Sequence, residues 1–219
     1  MDRTNTASRG ILLDLDGTLA NTLTDLHIAV NAALAGFSLP PQPLDAVRRF
    51  VGDGVKLLCE RAMHGARPDQ LDTMVERVLE EYRLHDLDHT VLYDGVPAML
   101  DALTARGIPL AVLTNKPQGA TDRIIGALCS RWPFVAVEGY RIDERKKPDP
   151  RTALAIAEQM GAPPQQVWMV GDSLPDIQTG RNAGMVTVAV TWGFRDREEL
   201  EAARPDHIID EPMELLSLL

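Results

Sequence analysis

The sequence predicts an α/β fold: a doubly wound parallel sheet with a smaller all-helical domain inserted after the first strand. Three observations predict it. Short aliphatic runs, ILLDLD, IPLAVLTN, FVAVE, VWMVGD, TVAVT and DHIID, recur along the chain, and such runs between polar boundaries are the pattern of strands buried on both faces. From residue 93 onward they alternate with helix-patterned stretches at 96–106, 117–128 and 150–160, the rhythm of helical crossovers covering a parallel sheet. Residues 21–90 break that rhythm, with amphipathic segments and no convincing strand.

The first run, in GILLDLDGTLANT, ends in Asp14 and Asp16 and then bends at Gly17-Thr18. After it, Leu23, Leu26, Val30, Leu34 and Phe37 recur at helical spacing, as do Leu71, Met74, Val75, Val78, Leu79 and Tyr82, so each set builds one apolar helix face. A proline-rich turn, SLPPQP, and a glycine loop, FVGDGVK, lie between them. The expected division is a core of residues 1–19 and 93–219 and a helical insert of 20–92. The joints near 19–21 and 91–95 would let the insert move as a lid. Met63, Met74 and Met99 are expected in apolar cores, and His64, His85 and His89 on surfaces or partly packed, not as ligands. Asp149-Pro150 reads as the N-cap and first residue of the 150–160 helix.

The chain has 219 residues, 45% hydrophobic and 25% charged, which is the composition of an ordinary globular protein with a sizeable core. A net charge of −10 argues against nucleic acid as the main partner, since phosphate-backbone binding needs a basic surface. A small phosphorylated molecule remains compatible if its site is locally positive. No apolar stretch approaches the roughly 18–20 residues of a membrane span. The polar start MDRTNTASR, followed by a run that Asp14 interrupts, does not read as a signal peptide. A cytoplasmic protein is expected, monomer or homodimer, with Cys59 and Cys129 as packing thiols of a reducing compartment.

In a parallel sheet the carboxyl ends of the strands share one rim, where ligands bind. Asp14 and Asp16, two apart, point to one side of the sheet. VWMVGD brings Asp172 to the same rim with Asp176 four residues on, and LAVLTN brings Thr114 and Asn115. Converging carboxylates repel one another, and a hard divalent cation with oxygen ligands relieves this. Mg²⁺ is the usual choice beside a phosphate. Thr114 can donate a hydroxyl hydrogen bond to a phosphoryl oxygen. In RKKPDP, Lys147 sits on a fixed segment ahead of a helix start and faces the rim, whereas Lys146 reads as a solvated lysine.

DLDGTLANT, LTNKP, KKPDP and VGDSLPD occur in the order and rough spacing of the four motifs of the haloacid dehalogenase (HAD) superfamily, and the chain resembles its phosphatase branch. The helical insert is similar to the superfamily's first type of cap. GVPAMLDALTARGIPLAVLTNKP and FVGDGVKLLCERAM look most like phosphoglycolate phosphatases. The resemblance implies a Rossmann-like HAD core with Asp14 as nucleophile, forming an aspartyl-phosphate. It makes Asp16 the acid and base, with a pKa raised by the neighbouring carboxylates. It implies Mg²⁺ held by Asp14, the Asp16 backbone carbonyl and Asp172, with Asp176 either an outer-shell holder or a contributor through water. Thr114 and Lys147 would bind the phosphate, and Asn115 would orient Asp16 or the phosphate. Gly52, Asp53 and Gly54 would form a loop over the substrate's non-phosphate end or a plain interhelical turn. Lys56 would meet a substrate carboxylate or stay on the surface. Trp192 is expected in the core or at the mouth of the site. Ala20-Asn21-Thr22 stands where the family often carries an acid, which bears on hydrogen bonding at the hinge. The implied function is a Mg²⁺-dependent phosphatase of a small phosphorylated metabolite, 2-phosphoglycolate first. The alternatives are a sugar-phosphate mutase of the β-phosphoglucomutase type, a pyrophosphatase, or an inactive metal- and phosphate-binding regulator.

Overall fold

Alternation within the first strand sets the two faces of the sheet. β1 (Gly10–Leu13) is buried throughout. Ile11 and Leu13 enter one apolar cluster and Leu12 the opposite one, as the period-two geometry of a strand requires. The structure is a computed structural model and describes residues 9–141 and 145–219. The tail MDRTNTASR, apart from Arg9, lies outside the described residues.

Beyond β1 the chain runs through β2 (Ala20–Asn21), α1 (Leu23–Gly36), α2 (Leu44–Phe50), α3 (Val55–Ala62), α4 (Leu71–His85) and β3 (Val91–Leu92). It then alternates: α5 (Val96–Ala105), β4 (Leu110–Pro117), α6 (Gln118–Leu128), β5 (Phe134–Tyr140), α7 (Arg151–Gln159), β6 (Val167–Gly171), α8 (Leu174–Ala183), β7 (Val186–Val190), α9 (Arg197–Ala203), β8 (His207–Ile209) and α10 (Leu215–Leu218). The main sheet has the order β5-β4-β1-β6-β7-β8, with every pairing parallel. The chain leaves β1 toward β4 and β5, then returns to β6 on the other side, so the order reverses beside β1. That reversal opens a crevice at the carboxyl ends of β1, β4 and β6. Val96, Met99, Leu100 and Leu103 of α5 and Ile124 of α6 cover one face. Ala153, Ile156 and Ala157 of α7 cover the other.

Helices α1–α4 pack around their own core of Val30, Leu34, Val47, Leu58, Met74 and Val78. Cys59 and Cys129 are buried free thiols, and burial pushes each up to about 12. Met63, Met74 and Met99 are buried as well.

Two local expectations shift. The joints of the helical insert pair as an antiparallel ribbon, Ala20 opposite Leu92 and Asn21 opposite Val91; two residues per strand are too few to show periodicity. The 150–160 helix begins at Arg151, because the Pro150 carbonyl accepts its first helical bond from Leu154. Asp149 still supports that start, its Oδ1 accepting the Arg151 N–H at 2.9 Å.

A buried carboxylate ties the helical insert to its return joint. Asp25 in α1 is fully buried. It accepts the His89 N–H at 3.0 Å, the Thr90 N–H at 2.8 Å and the Thr90 hydroxyl at 2.7 Å, and the His89 ring lies 2.8 Å away. Asp25→Ala strands the buried Thr90 N–H and hydroxyl without an acceptor. We expect a loss of about 2–4 kcal/mol, or about 5–12 °C in melting temperature for a chain of this size, checked by thermal denaturation. A shift under 2 °C would show that Asp25 is not a structural tie.

Candidate active site

The end of β1 delivers Asp14 into a pocket of buried charge. Its N–H donates to the Val170 carbonyl at 2.9 Å, extending the β1–β6 ladder by one residue. Asp172, just beyond β6, approaches from the next strand, and its Oδ2 accepts the Phe194 N–H at 2.6 Å. Glycines make this approach possible. A Cβ on Gly17, where φ is +82°, would stand 2.2 Å from Asp172 Oδ2, and one on Gly193 would stand 2.4 Å from the same atom. Side chains at either position would displace the carboxylate.

Lys147 supplies the positive charge. Its backbone is clamped by Asn115, whose Oδ1 accepts the Lys147 N–H at 2.8 Å and whose Nδ2 donates to the Lys147 carbonyl at 3.1 Å. That amide also donates to the Gly52 carbonyl at 2.9 Å. Asn115 therefore holds the lysine segment and the insert's glycine loop; it does not hydrogen-bond the Asp16 carboxylate. Lys147 Nζ stands 2.8 Å from Asp14 Oδ1 and 2.5 Å from Asp176 Oδ1. Burial works against this ammonium, yet Asp14 and Asp176 outweigh it and hold its pKa above the ordinary value. Asp176 Oδ2 accepts the Ser173 N–H at 3.0 Å and hydroxyl at 2.5 Å, closing the N-terminus of α8. Both Asp176 oxygens are thus engaged, and its visible contact with the site runs through Lys147.

Asp14, Asp172 and Asp176 each offer an oxygen within 4.8 Å of the others. Asp14 Oδ1 is buried and, despite the nearby ammonium, accepts no aligned hydrogen bond. Burial first, and then the Asp176 carboxylate, push Asp14 up to about 7. Asp172 is pushed well above the ordinary range by burial and by both neighbouring acids. Crowded hard oxygens that ionise reluctantly by themselves fit a small divalent cation, whose charge makes their ionised form favourable.

Asp16 has other company than the sequence predicts. Its Oδ1 accepts the Thr22 hydroxyl at 2.7 Å, and Lys116 Nζ donates to its two oxygens at 2.9 and 3.1 Å. A lysine and a threonine from the joint of the insert surround it. Thr22, in the departing Ala20-Asn21-Thr22 segment, thereby links the hinge to the site. Lys116 is the residue that sequence reasoning missed. The available signal was a lysine in LTNKP closing a strand otherwise apolar up to Thr114, since a buried ammonium needs an acidic partner. Thr114 is buried, and its hydroxyl oxygen accepts the Lys116 N–H at 3.3 Å.

A cavity of about 50 Å³ lies between the rim and the insert, lined on one side by Asp14, Asp16, Thr114 and Lys116 and on the other by Gly52 and Gly54 with aliphatic residues. Asp53 and Lys56 do not line it. Asp53 pairs with Arg61 at 2.7 Å, and Lys56 with Asp72 at 2.8 Å on an exposed surface. Lys146 lies 5.7 Å from the Tyr140 ring centroid. Trp192 packs on the main core and donates from Nε1 to the Thr18 carbonyl at 3.0 Å. His64 contacts Gln42, His85 Asp88 and His89 Asp25.

Two arginines clasp the insert to the sheet. Arg48 of α2 donates to the Phe194 carbonyl at 2.9 Å. Arg195 donates back to the carbonyls of Arg48 at 3.1 Å and Val51 at 2.5 Å. The Phe194 side chain enters the core of the helical insert, so one segment after β7 touches both Asp172 and the insert.

A family model described as haloacid dehalogenase-like hydrolase matches residues 11–190. The chain is 35% identical to a phosphoglycolate phosphatase of Pseudomonas putida, over 96% of this chain and 79% of that one. It is also 35% identical to a phosphoglycolate phosphatase of Escherichia coli, over 96% of this chain and 92% of that one. A crystal structure described as a predicted phosphoglycolate phosphatase from Haemophilus somnus superposes with a TM-score of 0.89 at 30% identity, covering 98% of this chain and 99% of that one. With its six-stranded parallel sheet, the acid-lined rim beside β1 and a family match over most of its length, the chain belongs to the haloacid dehalogenase-like hydrolases.

Proposed function

We propose that this protein is a Mg²⁺-dependent phosphatase of small phosphomonoesters, acting through an aspartyl-phosphate on Asp14, with 2-phosphoglycolate the first substrate to test. The observation that carries the reading is the Asp14 carboxylate at the end of β1, 2.8 Å from Lys147 Nζ and clustered with Asp172 beneath a helical insert. The phosphoglycolate phosphatase relatives support the substrate. Residues 20–92 serve as the cap, and 1–19 with 93–219 as the catalytic core.

Asp14 attacks phosphorus and the ester P–O bond breaks, while Asp16 delivers a proton to the departing alkoxide. Water then attacks the acyl phosphate as Asp16 recovers a proton, releasing inorganic phosphate and Asp14. Thr114 and Lys147 bind phosphoryl oxygens whose charge changes along the way. Asp14 and Asp172, with the Asp16 backbone carbonyl, would hold Mg²⁺, which supplies charge neutralisation for the acids and the phosphate. The cap's aliphatic wall excludes bulk water from the acyl phosphate.

Phosphate release from p-nitrophenyl phosphate and 2-phosphoglycolate checks this reading. Release is expected with MgCl₂, lost in EDTA and restored by added Mg²⁺. No turnover of any phosphomonoester with Mg²⁺ present would overturn it.

A further inference from the structure

We infer that Lys116 and Tyr82 form a receptor for a second acidic group on the substrate, a carboxylate or its equivalent close to the ester oxygen. The inference rests on the phosphatase reading and deepens it by assigning what reads the leaving-group side.

Among the described residues, the charged side chains lining the cavity are Asp14, Asp16 and Lys116. Lys147, assigned to the phosphoryl oxygens, does not line this cavity. The cap's aliphatic lining residues, Leu26, Val51, Val55, Leu58, Val78 and Leu79, offer nothing to an anion. A carboxylate entering such a space must be paired, because burying it alone costs heavily. Lys116 is the cation it meets, with a side chain only 2% exposed.

Tyr82 provides an independent observation. It too lines the cavity, and the Lys116 ammonium lies 4.4 Å from its ring centroid. Its buried hydroxyl donates to no acceptor among the described residues, and burial pushes the phenol up to about 12, so its proton stays available to a ligand. A buried donor left unpaired is costly. A substrate acid satisfies it, whereas an alkyl group leaves it stranded. Sites that hydrogen-bond a substrate group reject analogues lacking that group far more strongly than apolar pockets reject a missing methylene.

The cavity also limits size. At about 50 Å³, it holds roughly four water-sized groups at ~10–15 Å³ each. That places the second acid within about two or three bonds of the ester oxygen. Lys116 then serves two anions, Asp16 and the substrate acid, so recognition lies one contact from the acid and base.

The test compares 2-phosphoglycolate with ethyl phosphate, which has a methyl group in place of the carboxylate. Wild type should favour 2-phosphoglycolate in kcat/KM by about 100-fold or more. Lys116→Met should bring that preference within about 10-fold, and Tyr82→Phe should lower it about 10-fold, chiefly through KM. Lys116→Arg should keep most of it. A wild type that prefers ethyl phosphate overturns the inference while the phosphatase reading stands. Variants in which both substrates fall by the same factor also overturn it, leaving Lys116 as a counter-ion for Asp16 alone. Tyr82→Phe removes a single oxygen atom and keeps the test available if Lys116→Met does not fold. Hydrolysis of neither ester, nor of p-nitrophenyl phosphate, overturns the phosphatase reading and this inference with it.

Discussion

Asp14→Asn is expected to eliminate phosphate release, by roughly 10⁴-fold or more, while leaving the metal-free protein at least as stable as wild type. The two outcomes share one cause. The carboxylate needed to attack phosphorus sits where burial and Asp176 disfavour its charge, pushing it up to about 7. An amide of nearly the same shape removes the nucleophile and the unfavourable charge together. Lys147 keeps its 2.5 Å contact with Asp176, so no cation is left alone. The measurements are a phosphate-release assay and thermal melts in EDTA at pH 8. Asp14→Asn that still turns over substrate would refute the nucleophile assignment. A melting temperature several degrees below wild type would refute the claim that the native carboxylate is held at a cost.

Metal-free protein should lose stability as pH rises from 5 to 8, and Mg²⁺ should return it. The ordinary Asp14 value of 3.8 becomes about 7 in the folded chain, and Asp172 moves in the same direction. Between those values the folded protein binds more protons than the unfolded one, so unfolding free energy falls as pH increases. The contribution is complete below the unfolded value and is lost as pH passes the folded one. Asp149, Asp206 and Asp210 have lowered pKa values and act at more acid pH, outside this window. A divalent cation takes over the role of the protons, so its effect should be larger at pH 8 than at pH 5. At 100 times its dissociation constant it adds about 2.7 kcal/mol, or roughly 5–10 °C for a chain of this length. Equal Mg²⁺ shifts at the two pH values, or a metal-free melting temperature that climbs toward pH 8, would contradict the carboxylate cluster as the origin.

Much of this molecule can be read along the chain. Burial on both faces makes strands aliphatic, and parallel strands require helical crossovers. The runs from ILLDLD to DHIID therefore report the sheet, and the acids at their ends report its rim. Asp14, Asp16 and Asp172 are legible because each directly follows a strand or its first turn. Two-residue β2 and β3 are not legible, since they are shorter than any period.

The partners of those acids belong to another level. Lys116 meets Asp16 across 100 positions, and Arg195 meets the Val51 carbonyl across 144. No local pattern encodes such pairs, because sheet order and the seating of the helical insert decide which side chains share a dry volume. The chain by itself determined an α/β sheet with a rim of carboxylates and a helical segment after its first strand. Tertiary structure alone decided that Asp16 meets Lys116, that Asp176 closes on Lys147 and Ser173, and that Tyr82 lies beside Lys116. Charge and hydrogen-bonding energies depend on distance and burial in space, and sequence separation carries neither.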